Sequence, residues 1–233
     1  MSSEVHAIEG APAEETPKAK PRRRRSYMPE RGTLIVVSAP SGAGKSSLVE
    51  RAMQRLGRLR YSISYTTRQP RGEERDGVNY IFIDEAAFLE MRERGEFIES
   101  ACVHGYYYGT HRATIEKMLA EGNDVIMDID VQGAAQMRER MPEAVTVFIL
   151  PPSKKVLEAR LRRRNLNAPD DLARRLGNAT AEVQLYDCFD YVIINDDRDR
   201  AFGALKAIIV AERRRPMRQR NKIKSILDTF GGE

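Results

Sequence analysis

Four short runs of β-branched and aliphatic residues punctuate the chain, at residues 33–38, 124–129, 144–150 and 191–194. Each is apolar at consecutive rather than alternate positions, the pattern of a strand covered on both faces. Between them, residues 46–56, 110–121, 153–164, 170–186 and 198–213 read as helices, and the second runs from a capping threonine to Gly122. Strands alternating with helices of this length predict βαβ units, hence an α/β fold with a parallel sheet flanked by helices. Residues 60–108 break the rhythm. Short alternating runs at 61–64, 79–83 and 96–99 surround one helix at 84–94 and predict a small, partly antiparallel insert. Residues 1–31 hold almost no large apolar side chain and predict a disordered extension.

Composition narrows the class. The chain has 233 residues, 41% hydrophobic and 31% charged, which suits one soluble domain with tails. No apolar run approaches the roughly 18 to 20 residues that span a bilayer, and the first thirty residues lack the apolar core of a secretory signal. A cytoplasmic location and no membrane partner are expected. Cys102 and Cys188, the only cysteines, lie too far apart in sequence to suggest a disulfide framework or a four-cysteine zinc site. The net charge of +5 sits at the ends: residues 1–31 carry seven basic and five acidic side chains, residues 211–233 seven and three, and residues 32–210 only 25 against 26.

The chemistry begins after the first strand. Ala39-Pro40-Ser41-Gly42-Ala43-Gly44-Lys45-Ser46 fits the P-loop pattern G-x-x-x-x-G-K-[ST] except at its first position, where Ala39 replaces glycine. Gly42 and Gly44 let backbone N–H groups turn inward around phosphate oxygens, and the following helix adds its positive N-terminal end. Lys45 is placed to reach the β- and γ-phosphates of a nucleotide, and the Ser46 hydroxyl to ligate Mg²⁺. A second acidic residue is needed for the ion or its waters. Asp128, in the second apolar strand, supplies it, and Asp130 shares its face if the strand continues; otherwise Asp130 caps a helix over residues 131–140.

Further strings, in order, make the chain resemble the guanylate kinase family: Ser62-Ile63-Ser64-Tyr65-Thr66-Thr67-Arg68-Gln69-Pro70-Arg71, Gly77-Val78-Asn79-Tyr80, Glu96-Phe97-Ile98-Glu99, Tyr107-Tyr108-Gly109-Thr110 and Asp128-Ile129-Asp130-Val131-Gln132-Gly133. With the P-loop, the resemblance covers about residues 32–210. It implies a P-loop core, a GMP-binding insert at about 61–113 and a helical lid at about 155–185; outside it, the charge of residues 211–233 predicts a basic helix or tail. It also implies roles. Arg68 and Arg71, with Tyr80 and Tyr108, would clamp the GMP phosphate, and Ser64, Glu99, Thr110 and Asp130 would face the guanine. Lys45 and the lid residues Arg160, Arg164 and Arg175 would neutralise charge on the moving phosphoryl group, and Asn195 would lie near the adenine of ATP. The chain departs from the family's usual residues at Asn165, commonly glycine, and at Tyr106, often asparagine.

The chemistry agrees with those roles. Guanidinium forks match phosphate oxygens bidentately. Guanine offers N1–H and its exocyclic amine to a carboxylate such as Glu99, and O6 to the Ser64 hydroxyl. The expected reaction is Mg²⁺-dependent transfer of the ATP γ-phosphoryl group to GMP, and to dGMP, giving ADP and GDP in purine nucleotide metabolism by direct in-line attack. Two other readings are a non-catalytic module that binds phosphorylated peptides through the arginine-tyrosine site, and a kinase of another phosphorylated acceptor. The intact Gly44-Lys45-Ser46 and the arginine-rich lid speak against the first. The basic tails permit weak contact with nucleic acid, although a solubilising tail is the plainer reading. Sequence does not set the oligomeric state.

Overall fold

The computed structural model describes residues 30–103, 105–163 and 169–230. In chain order the elements are β1 (Leu34–Ser38), α1 (Lys45–Arg55), β2 (Leu59–Tyr61), β3 (Tyr65–Thr66), β4 (Ile81–Phe82), α2 (Glu85–Glu93), β5 (Phe97–Val103), β6 (Tyr106–His111), α3 (Arg112–Ala120), β7 (Asp124–Asp128), α4 (Val131–Arg140), β8 (Val145–Leu150), α5 (Lys154–Arg163), α6 (Pro169–Glu182), β9 (Tyr191–Ile194), α7 (Arg198–Glu212) and α8 (Arg220–Leu227). The predicted extension over residues 1–31 lies almost wholly outside the described residues, as do Arg164 and Asn165.

Five parallel strands form the main sheet in the order β2-β7-β1-β8-β9. All five residues of β1 are buried because both faces are covered. Ile35 and Val37 point into one apolar layer with Leu48, Val49 and Ala52 of α1 and Leu205 and Ile209 of α7. Leu34 and Val36 enter the other layer with Ile115 and Leu119 of α3 and Met137 of α4. Each such side chain contributes about 1.5–3 kcal/mol relative to exposure, so the consecutive apolar run is the energetic signature of a central strand.

Two expectations are corrected. Thr110, expected to cap a helix over residues 110–121, lies in β6, and His111 caps α3 instead by accepting from the Thr114 N–H. Residues 61–64 were expected to form a strand of the insert, whereas β2 is a strand of the main sheet that ends at Tyr61, and the Ser62 N–H still donates to Ile126. As an edge strand with Leu59 alone buried, β2 lacks the apolar run that marks the central strands. The insert sheet has the order β4-β3-β6-β5, parallel at β3/β4 and antiparallel elsewhere. Phe88 of α2 packs under it, stacked on Phe97 and Tyr107. Tyr106 opens β6 and pairs with Val103, so this position takes a tyrosine without loss of strand pairing. Leu157, Leu161 and Ala179, with Leu172 and Leu176, give α5 and α6 a small apolar core of their own. No helix among the described residues is long and apolar enough to cross a membrane.

Candidate active site

The phosphate cradle follows the C-terminal end of central strand β1. Gly42 and Gly44 adopt φ +87° and +96°, where a side chain is strained. A Cβ on Gly44 would fall 2.4 Å from the Asn195 amide nitrogen, and one on Gly42 would fall 2.8 Å from Leu161. Ala39 is another matter: among the described residues only Arg58 combines a side chain with positive φ, so the first loop position does not require glycine here. Gly44 caps α1 without a side-chain hydrogen bond, and the first turn holds no acidic residue, which leaves the helix end electropositive. Asn195 braces the loop by donating to the Ala43 carbonyl at 2.7 Å, and Arg160 holds the Ala43 and Asn195 carbonyls at 3.2 and 2.8 Å. Asn195 and Arg160 also line a cleft of about 880 Å³ beside Gly42 and Gly44, on the side where sequence placed adenine.

Strand register carries the acidic residues to this loop. Asp128 ends β7 opposite Val37, one residue before the end of β1. It accepts from the Ser46 hydroxyl at 3.1 Å and from the Tyr61 hydroxyl. The strand stops there, so the shared strand face does not form; Asp130 caps α4 and accepts from the Gly133 N–H at 2.8 Å. The half-buried Lys45 ammonium donates to the Ile129 carbonyl at 2.8 Å. Burial lowers its pKa, against the pull of Asp128, Asp130 and Glu182.

The insert contributes the facing wall. Arg68 is almost fully buried; its Nε donates to the Tyr108 hydroxyl at 3.2 Å and its guanidinium lies 5.3 Å from the Tyr80 ring centre. Glu74 pairs with Arg68 at 2.9 Å and takes the Arg71 backbone N–H at 2.8 Å, which fixes the loop that carries both arginines. The Arg71 side chain stays exposed. Thus the structure brings Arg68, Tyr80 and Tyr108 together, with Arg71 on the rim.

Glu99 sits where β5 bulges: Phe97 opposes His111 while Glu99 opposes Thr110, so one extra residue turns Glu99 inward. Only 4% exposed, it accepts from the Thr110 hydroxyl at 2.6 Å. Burial pushes its carboxyl up to about 7, with the Thr110 hydrogen bond and Arg140 opposing and Asp130 adding to the rise. A Cβ on Gly133 would lie 3.1 Å from Glu99 and 3.3 Å from Asp130, and Asp130 also lines the cavity over the phosphate loop. The Ser64 hydroxyl has no hydrogen-bond partner among the described residues, while its carbonyl holds Ile81.

From the lid, Arg175 reaches the Ser41 hydroxyl at 3.5 Å, and Arg174, Arg175 and Glu182 line a cavity of about 350 Å³ with Ser41 and Asp130. Glu182 also lines the cavity of about 280 Å³ over the P-loop, and burial is the main reason its pKa is raised. Sequence reasoning missed Tyr61, Glu74 and Glu182. Each acts through one long-range polar contact or a loop brace, and none belongs to a motif. The family's model, described as guanylate kinase, matches residues 31–212.

The chain belongs to the guanylate kinase family. Similar proteins include the guanylate kinase of Vibrio cholerae, 48% identical over 87% of this chain and 99% of that one, and that of Escherichia coli K12, 49% identical over 84% and 96%. A crystal structure of guanylate kinase from Anaplasma phagocytophilum superposes with a TM-score of 0.67 at 31% identity, covering 82% of this chain and 90% of that one. Guanylate kinases are ATP:GMP phosphotransferases, and the chain is an enzyme of that class.

Proposed function

We propose that this chain transfers the γ-phosphoryl group of ATP to GMP, and to dGMP, with the residue roles that follow, in the cytoplasm. The observation that carries the reading is the junction at Asp130, which borders both the cavity over Gly42, Gly44 and Lys45 and the buried Glu99-Thr110 pair. Donor and acceptor subsites that meet at one residue suit in-line transfer, in which catalysis consists of positioning and charge neutralisation. Guanine N1–H and its amine donate to Glu99, and Ser64 donates to O6. Arg68, Arg71, Tyr80 and Tyr108 hold the acceptor phosphate. The P-loop from Ala39 to Ser46 holds the ATP phosphates beside Asn195, and Lys45, Arg160, Arg164 and Arg175 neutralise charge on the moving group.

The donor set fits Mg²⁺: a hydroxyl and a carboxylate, Ser46 and Asp128, lie 3.1 Å apart beside the loop, and Mg²⁺ bound with substrate phosphates uses one or two carboxylates rather than a cage. Ser46 and Asp128 would hold the ion, whose charge would offset the negative charge of the phosphates during transfer. Tyr61 holds the second Asp128 oxygen and so orients the carboxylate.

An acceptor panel of GMP, dGMP, AMP, UMP and phosphosugars, followed by ADP release, tests the function. ADP is expected with GMP and dGMP and stays at background with the others. A phosphosugar or UMP outpacing GMP would assign the site to another acceptor.

A further inference from the structure

We propose a second phosphate-binding site at the opposite end of the main sheet, independent of the active site. The basic C-terminal segment folds back there. Arg213 pairs with Asp124 at 2.6 Å and donates to the Gly57 carbonyl, Arg218 donates to the Gly32 carbonyl at 2.9 Å, and the Asn221 N–H donates to Glu30. These contacts close a cavity of about 230 Å³ at the start of β1 and β7, close in size to the 280 Å³ over the P-loop. The five residues of β1 separate the two ends by about 17 Å.

The lining charges do not balance. Arg213 is neutralised by Asp124, and Arg31 by Glu116 and Glu143. Arg58, Arg214, Arg218 and Lys222 take part in no ion pair among the described residues, and the one remaining lining carboxylate is Glu30. The Arg218 Nε is buried with no hydrogen-bond partner, a donor whose desolvation is not offset within the protein. An anion with several oxygens and more than one negative charge suits the lining cations Arg58, Arg214, Arg218 and Lys222, because guanidinium forks pair with phosphate oxygens at charge-assisted distances. The lining contains no aromatic side chain and Val210 as its one large aliphatic, so it offers no platform on which a base would stack. The site therefore recognises phosphate itself, carried either by a small di- or polyphosphate or by the backbone of a nucleic acid.

Two probes separate these sources, with the active site of the full-length enzyme kept saturated by ADP and GMP. Calorimetry at 150 mM salt is run with pyrophosphate and with a single-stranded oligonucleotide, on the wild type and on Arg214→Ser/Lys222→Ser. Both side chains are exposed, so folding and GMP turnover are expected to be unchanged. The wild type is expected to bind phosphate at one further site, and the double variant at least tenfold more weakly. Binding of pyrophosphate identifies a small phosphorylated ligand. Binding of the oligonucleotide alone, with a salt slope shallower by about 1.4 in the variant, identifies a backbone. Failure of both probes to bind, or equal binding by the variant, overturns the proposal.

Discussion

Lys45→Ala is expected to lower kcat by about 10³-fold or more while leaving the Kd for GMP within about threefold. Removing one preorganised neutral donor to a developing charge costs about 10²–10³ in rate, and a lysine ammonium in the phosphate loop is expected to cost at least as much. Guanine and the acceptor phosphate contact other residues, the Glu99-Thr110 pair and the Arg68-Tyr108 pair, neither of which touches Lys45. Single-turnover kinetics and equilibrium GMP binding, measured separately, read the two effects. Retained turnover with lost GMP binding would show that the loop at residues 39–46 serves the acceptor rather than the donor.

The second large effect is expected at Glu99. With Glu99→Gln, kcat/KM for GMP falls by about 10² to 10³, because guanine loses an ionised partner for two of its donors. Stability moves the other way. The Glu99 carboxyl rises from an ordinary value of 4.5 to about 7 in the fold, so the native state holds this proton more tightly than the unfolded chain does. Its stabilising contribution is complete below about pH 4.5 and is lost as pH rises through 7, on the order of 3 kcal/mol by pH 8. Glutamine does not titrate. The variant should therefore gain a few degrees in Tm over the wild type at pH 8, and that gain should vanish by pH 5. For the wild type, kcat/KM for GMP falls on the acid side with an apparent pKa near 7, and in the variant only the substrate phosphate's own ionisation near 6 remains. Thermal melts and pH-rate profiles on both proteins measure this. A variant that binds GMP normally would remove Glu99 from the guanine contacts.

These two sites differ in how legible they were. The P-loop is a local motif: its glycines, lysine and serine sit in eight consecutive residues after a strand that announces itself by consecutive burial. Glu99 was named only through a family resemblance, because its inward direction depends on a bulge at residues 97–99 that alternation does not reveal. Strand β2 escaped for a related reason: an edge strand of three residues with Arg60 and Tyr61 exposed carries no apolar run. The excess of charge at the C-terminus predicts a basic helix or tail and gives no sign of its docking, yet Arg213 reaches back 89 positions to Asp124 and Arg218 reaches Gly32. Polar partners so far apart in sequence leave no periodic trace, and the same holds for Tyr61 with Asp128 and for Glu182 with the P-loop.

The central claim is that a buried carboxylate selects guanine for phosphorylation at the P-loop. Its most direct test is kcat/KM of the full-length enzyme for GMP, IMP and AMP at saturating ATP and Mg²⁺. IMP keeps N1–H but lacks the exocyclic amine, and AMP has no donor at N1, so each step down the series leaves Glu99 with one partner fewer. The account predicts a descending ladder, with IMP about tenfold or more below GMP and AMP at least 10³-fold below it. Equal values for GMP and AMP would contradict it.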